Sequence, residues 1–242
     1  DDTDVSGDYA IALGSTFSAG DELLIFVDGE PEDAVLVALH DGTTYSGFDI
    51  YQNQVILRDQ DTGALTNDDL YTAADLGGTP DSDVTSLLNV SAASNGDLTI
   101  NGELMVWEGE FDPGGNMDIN GELDVDGTLT MTNETINLSS NMEVDAAGTF
   151  TAATSSLIAD GTTGQIIDTN DQNLHNLQNS NTGNDVVLQS NITIGGNLTV
   201  DASTVFALGG SDLTVSGSFS NEGTFQLQGD ETVSLTQDTD SG

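Results

Sequence analysis

One motif recurs in this chain and limits its fold more than any other feature: a turn pair followed by apolar–polar–apolar alternation. Gly96-Asp97-Leu98-Thr99-Ile100-Asn101-Gly102-Glu103-Leu104 is followed by Gly115-Asn116-Met117-Asp118-Ile119-Asn120-Gly121-Glu122-Leu123. Gly195-Gly196-Asn197-Leu198-Thr199-Val200 and Gly210-Ser211-Asp212-Leu213-Thr214-Val215 repeat the theme. Period-two alternation puts Leu98, Met117, Ile192, Leu198 and Leu213 on one face, together with Ile100, Ile119, Ile194, Val200 and Val215. In the most regular stretch the inward anchors are Met117, Leu123, Leu129, Ile136 and Met142, six or seven residues apart. A strand this short cannot bury its face alone. Three per coil, roughly 18–20 residues, give a continuous dry core once coils stack. From Gly96 onward this period predicts on the order of seven coils. The Asn-Gly, Asp-Gly and Gly-Gly pairs also suit hairpins, so an antiparallel meander or sandwich is the competing architecture.

The fold class expected is therefore all-β: a parallel β-helix (β-solenoid) preceded by a small, incomplete β-sandwich. The division falls at 1–47 and 48–242. Before it, Tyr9–Leu13, Leu23–Val27 and Ala34–Leu39 are apolar runs bounded by Gly and Asp turns, which read as sandwich strands too few to close a sandwich. Residues 72–86 read as a long polar loop. Between Ala159 and Asn184 the repeat blurs and Gln and Asn crowd, predicting irregular or widened coils with Asn ladders.

Charge sets the next limit. Asp and Glu number 42 against 1 Lys or Arg, a formal charge of −41. Arg58 is the only permanent cation. Phosphate neutralisation requires Lys and Arg, which excludes nucleic acid as a partner, and anionic membrane surfaces fall with it. No apolar run is long enough to span a bilayer, so no membrane insertion is expected. Such a charge must be screened by salt or bound cations. Asp59-x-Asp61-x-Gly63-x-Leu65-x-Asn67-Asp68-Asp69 has the look of a calcium loop, although Gly63 holds position five and no Glu stands at position twelve. Asp59, Asp61, Asp68 and Asp69 are the candidate Ca²⁺ ligands. A solvated acidic loop with Arg58 as its counter-charge is the plainer reading.

The order of pieces resembles very large, repeat-containing bacterial cell-surface proteins in which an immunoglobulin-like or transthyretin-like module precedes right-handed β-helix repeats. The residues carrying this are Ser6-Gly7-Asp8-Tyr9, Ala19 through Gly29, Gly47-Phe48-Asp49-Ile50-Tyr51, Val55-Ile56-Leu57-Arg58, Leu65-Thr66-Asn67-Asp68-Asp69-Leu70, Leu104-Met105-Val106-Trp107, Phe111 through Asn116 and Gly223-Thr224-Phe225. The resemblance implies an extracellular or cell-surface location and an architecture more than an activity.

No nucleophilic triad or metal-hydrolase spacing occurs, and His40 and His175 lie far apart. A polysaccharide lyase would need cationic groups that only Arg58 could supply. The chain reads as non-enzymatic: a structural subunit or segment of a surface filament, joined end to end to copies of itself by strand addition. The alternative is a Ca²⁺-dependent adhesin for surface glycans, with Trp107 and Tyr51 as a stacking patch; a β-helix polysaccharide-degrading enzyme comes third. Sequons begin at Asn89, Asn133, Asn137, Asn191 and Asn197.

Overall fold

In the computed structural model, the described residues are 18–43, 47–60 and 63–237. The proposed strand Tyr9–Leu13 lies outside them. What the chain builds is a β-solenoid.

Its first face is a ten-stranded sheet that begins at Glu22–Phe26, passes through Val35–Leu39, Gln54–Asp59, Glu103–Glu108, Leu123–Val125 and Met142–Val144, and ends at Thr224–Gln226. Only Glu22–Phe26 pairs antiparallel, on Val35–Leu39; the later pairings are parallel. The second face holds eight strands, from Leu88–Val90 to Phe219–Asn221. Its partners step through Leu98, Met117, Ile136, Leu157, Leu177, Leu198 and Phe219, each 19 to 21 residues beyond the last. That is seven coils from Leu98, at a period close to the one read from the repeat. The third face is two three-stranded sheets, one containing Glu110–Phe111, Thr128–Thr130 and Thr149–Thr151, the other Ile192–Ile194, Leu213–Val215 and Val233–Leu235. Apart from Leu88–Val90, which pairs antiparallel with Leu98–Ile100, hairpins lose because a three-residue strand gains more from pairing with its copy one coil away, which aligns like side chains and buries most inward positions.

The alternation does what the repeat implied. Met117, Leu123, Leu129, Ile136 and Met142 are all buried, as are the Leu98 and Ile100 sets. Fully burying one such aliphatic side chain contributes about 1.5–3 kcal/mol, and stacking multiplies the gain coil by coil.

Three features go beyond the repeat. First, the apolar runs assigned to a sandwich, Glu22–Phe26 and Val35–Leu39, lie in the same sheet as Gln54–Asp59. They are apolar on both sides because the sheet is covered on both sides here. Val35, Val37 and Leu39 face the solenoid core, while Leu36 and Ala38 pack outward with Leu23, Ile25, Ile56, Phe48 and Trp107. Second, residues 72–86 are not one long loop. Helix α1 spans Asn67–Ala73 and helix α2 spans Ser82–Leu87. Thr66 and Asp69 form a reciprocal capping box at α1, and Asp81 caps α2. Leu70 and Ala74, then Val84 and Leu87, point at helical spacing into the end of the core. The two helices thus plug the solenoid before Leu98.

Third, the Gln/Asn-rich segment widens a coil around a buried polar corner. Met142 pairs with Ile167, a step of 25 residues instead of 19. Gln165 donates to the Leu138 and Ser140 carbonyls at 2.8 and 2.7 Å, and its Oε1 accepts from Asn181 Nδ2 at 2.6 Å. Asn181 in turn donates to Thr163 O at 2.6 Å and accepts from Gly183 N at 2.8 Å. Each buried amide is satisfied, so the corner is specific and not merely tolerated.

Candidate functional site: a Trp-lined acidic cleft

Strand Glu103–Glu108 departs from its neighbour's register at one point. Leu57 pairs with Val106 but Arg58 pairs with Glu108, so Trp107 sits in a β-bulge. Bulges re-aim side chains. Here the extra residue brings Glu108 to the same outer surface as Arg58, whose Nη2 and Nε lie 3.0 and 3.3 Å from Glu108 Oε1. Arg58 also donates to the Gly47 carbonyl at 2.6 Å and lies over the Phe48 ring, 4.9 Å from its centroid. Gln60 Nε2 donates to the same Glu108 oxygen. The sole Arg or Lys thus locks two coils together.

Beyond the bulge the chain turns at Gly109, with φ +73°; a Cβ there would stand 2.0 Å from the Asp59 carbonyl oxygen. This is a turn that only glycine makes at so close an approach. The corner left open between the first and third faces is a cleft of about 460 Å³, lined by Asp59, Trp107, Glu108, Glu110, Asp126 and Thr128 among others. Asp59 is buried at its floor and accepts from Glu110 N at 3.3 Å. Trp107, Glu108 and Asp126 are half-buried, and Glu110 is exposed. Glu110 Oε1 accepts from Thr130 Oγ1 at 2.7 Å.

Beside the cleft runs a file of carboxylates. Asp124 pairs with Glu143, and Glu143 with Asp168, at the roughly 4.8 Å spacing of neighbouring strands. Burial, then the charges of Asp126, Asp145, Glu143 and Glu103, raise the Asp124 carboxyl to about 7. Asp126 is raised to about 6 by burial, by its hydrogen bond with Asp145 and by the charges of Asp145 and Glu143. Asp112 is also raised, by burial first and then by Glu134.

The four Ca²⁺ candidates are not gathered into one group among the described residues. Asp59 lies in the cleft, and Asp61 lies outside the described residues. Asp68 Oδ1 accepts from Ser94 N at 3.0 Å, and Asp69 is committed to the capping box of α1. A different trio comes together: carboxylate oxygens of Asp28, Asp81 and Asp83 lie within 4.8 Å of one another, where the loop after Glu22–Phe26 meets the start of α2. No local pattern marks this trio, because Asp28 is more than fifty residues from its partners. His40 follows Val35–Leu39 and accepts from Gly42 N at 2.8 Å, while His175 is on a distant coil. Tyr51 is exposed and does not line the cleft.

Of the sequons, Asn89, Asn133, Asn191 and Asn197 are exposed and Asn137 is half-buried. Two of them belong to ladders that join coils at the turns. Asp171 Oδ1 accepts from Asn191 N, Asn191 Oδ1 from Asp212 N, and Asp212 Oδ1 from Thr232 N, at 2.9, 2.8 and 2.6 Å. Asn176, Asn197 and Ser218 form a second run at 2.9 and 3.0 Å. Much of the Asp and Asn enrichment is therefore backbone bracing.

No protein-family model, curated protein or solved structure matches the chain. No helix among the described residues is long and apolar enough to cross a membrane.

Proposed function

We propose that the chain is a non-enzymatic, extracellular structural unit, one segment or subunit of a surface fibre. The observation that carries this is the contrast between the solenoid's two ends. Helices α1 and α2 plug the first coil, but among the described residues Phe219–Asn221, Thr224–Gln226 and Val233–Leu235 are the last strands of three sheets at once. Leu227 and Leu235 stand 52% and 53% exposed there, and Phe219 and Phe225 pack edge to face at 5.2 Å with both rings only partly covered. Strand edges and apolar side chains in this arrangement are a template for more β-structure. The next unit of the fibre, on the same or a separate polypeptide, would cover them. Analytical ultracentrifugation in high salt tests the reading. We expect concentration-dependent association that Leu227→Asp with Leu235→Asp abolishes; a strict monomer at all concentrations defeats assembly through this end.

A second reading, a Ca²⁺-dependent adhesin for surface glycans, is favoured by the Trp-lined cleft and by the Asp28–Asp81–Asp83 trio. Calcium held there would tie α2 to the first strands, so chelation should lower the melting temperature. Indifference to chelators sinks the calcium part. A screen against acidic and neutral polysaccharides that releases no product is expected under both readings.

A further inference from the structure

We propose that the cleft beside Trp107 binds an amine-bearing sugar. The proposal rests on the adhesive reading, which it narrows to one place and one ligand class, and it is independent of fibre assembly.

Three observations converge. The cleft is built, because the bulge at Trp107 and the left-handed turn at Gly109 together open the corner. Regular pairing would have left Glu108 on the opposite side of the strand from Trp107. At about 460 Å³ it also falls among small-ligand sites, which run from about 300 to 1,000 Å³. Its wall is the chain's only Trp, half-buried and packed against the outer apolar cluster of Leu23, Ile25, Leu36, Ala38 and Ile56. An indole held in this way offers one face to the C–H side of a pyranose, or to a ligand cation.

The polar complement then selects the ligand. Asp59, Glu108, Glu110 and Asp126 all accept from hydroxyl or ammonium groups. Arg58, the only Arg or Lys, is spent on Glu108. Carboxylated or sulfated sugars meet uncompensated negative charge and are repelled. Neutral sugars stack but bring no positive charge to Glu110 and Asp126. A pyranose carrying a protonated amine satisfies both walls, and the negative potential of the surrounding carboxylate file raises its local concentration.

The closing experiment uses the whole chain in about 0.5 M NaCl, which suppresses diffuse attraction of cations to the surface. Glucosamine trimers, N-acetylglucosamine trimers and uronic acid trimers are titrated by calorimetry and by the emission of the single Trp. Saturable binding of the glucosamine trimer with a shift in Trp emission is expected, at least about tenfold weaker binding of the acetylated trimer, and none of the uronic trimer. Glu110→Gln, an exposed change that leaves the core intact, should weaken the amine-bearing ligand about tenfold, whereas Asp230→Asn, equal in charge but remote, should not. Trp107→Ala should abolish binding by calorimetry. Equal affinity in Glu110→Gln and Asp230→Asn, or uronic binding as tight as glucosamine, overturns the cleft assignment. If neutral glycans bind and Trp107→Ala leaves them unchanged, the adhesive reading survives and this proposal fails. If no glycan binds at all, both fail.

Discussion

Asp124 offers the sharpest test of the electrostatics. Its carboxyl is raised from the ordinary 3.8 to about 7, first by burial and then by Asp126, Asp145, Glu143 and Glu103. In the folded state it therefore holds a proton that the unfolded chain has already released between about pH 4 and 7. The native state binds more protons than the unfolded state in that window, so stability falls as pH rises through it. The contribution is fully present below 3.8 and lost as pH rises through about 7. Asp126, raised to about 6, acts in the same direction. Glu231, whose carboxylate accepts from the backbone of Gln228, Gly229 and Gly210, is lowered to about 2 and titrates outside the window.

Three pH units would be worth about 4 kcal/mol at 1.36 kcal/mol each, but Asp124 is half-exposed and solvent screening cuts this to roughly 1–2 kcal/mol. Asp124→Asn should thus raise the melting temperature at pH 8 by roughly 2–8 °C, and at pH 4 by almost nothing. The assay is thermal and urea unfolding of both proteins at pH 4, 6 and 8 in matched salt. An equal gain at pH 4 and pH 8, or a loss at pH 8, refutes the reasoning. Added salt should shrink the gain only in part, because burial, the larger cause, is not screened.

Other perturbations follow from the packing. Leu129→Ala, fully buried between Phe111 and Phe150 on the third face, should cost about 2–5 kcal/mol in urea unfolding. Arg58→Ala strands Glu108 and should cost about 2 kcal/mol; the loss is held down because Glu108's side chain is 35% exposed and can rehydrate. Asn181→Ala leaves Gln165 and the Gly183 N–H short of partners in a buried corner and should cost about 2–3 kcal/mol, seen first as faster amide exchange around 160–185.

What was legible in the sequence was whatever local alternation dictates. Leu98, Met117 and Ile136 announce their faces and spacing because each coil repeats one solution to one burial problem. The capping box was visible in principle: Thr66 stands three residues before Asp69, but an acidic run there reads equally well as a calcium loop. The cleft was not legible. It depends on a one-residue slip between Arg58 and Glu108, fifty residues apart, and nothing local distinguishes a bulged Trp from a regular one. Nor could charge alone place Asp28 beside Asp81 and Asp83, since carboxylates are abundant throughout. The runs around Leu23 and Leu36 suit a sandwich interior equally well, because an apolar run covered on both sides looks the same in either setting.

The step of 19 to 21 residues between stacked partners on the second face has a consequence for length. Removing a whole coil, such as residues 117–135, would bring Ile136 onto Leu98 and leave the helical plug and the last coil untouched. Each such excision or duplication changes the rod by about 4.8 Å. A gene built of these repeats can therefore reset the reach of its product by recombination alone, in increments no coarser than one strand's width, with both ends preserved. The molecule is a ruler whose graduations are its coils.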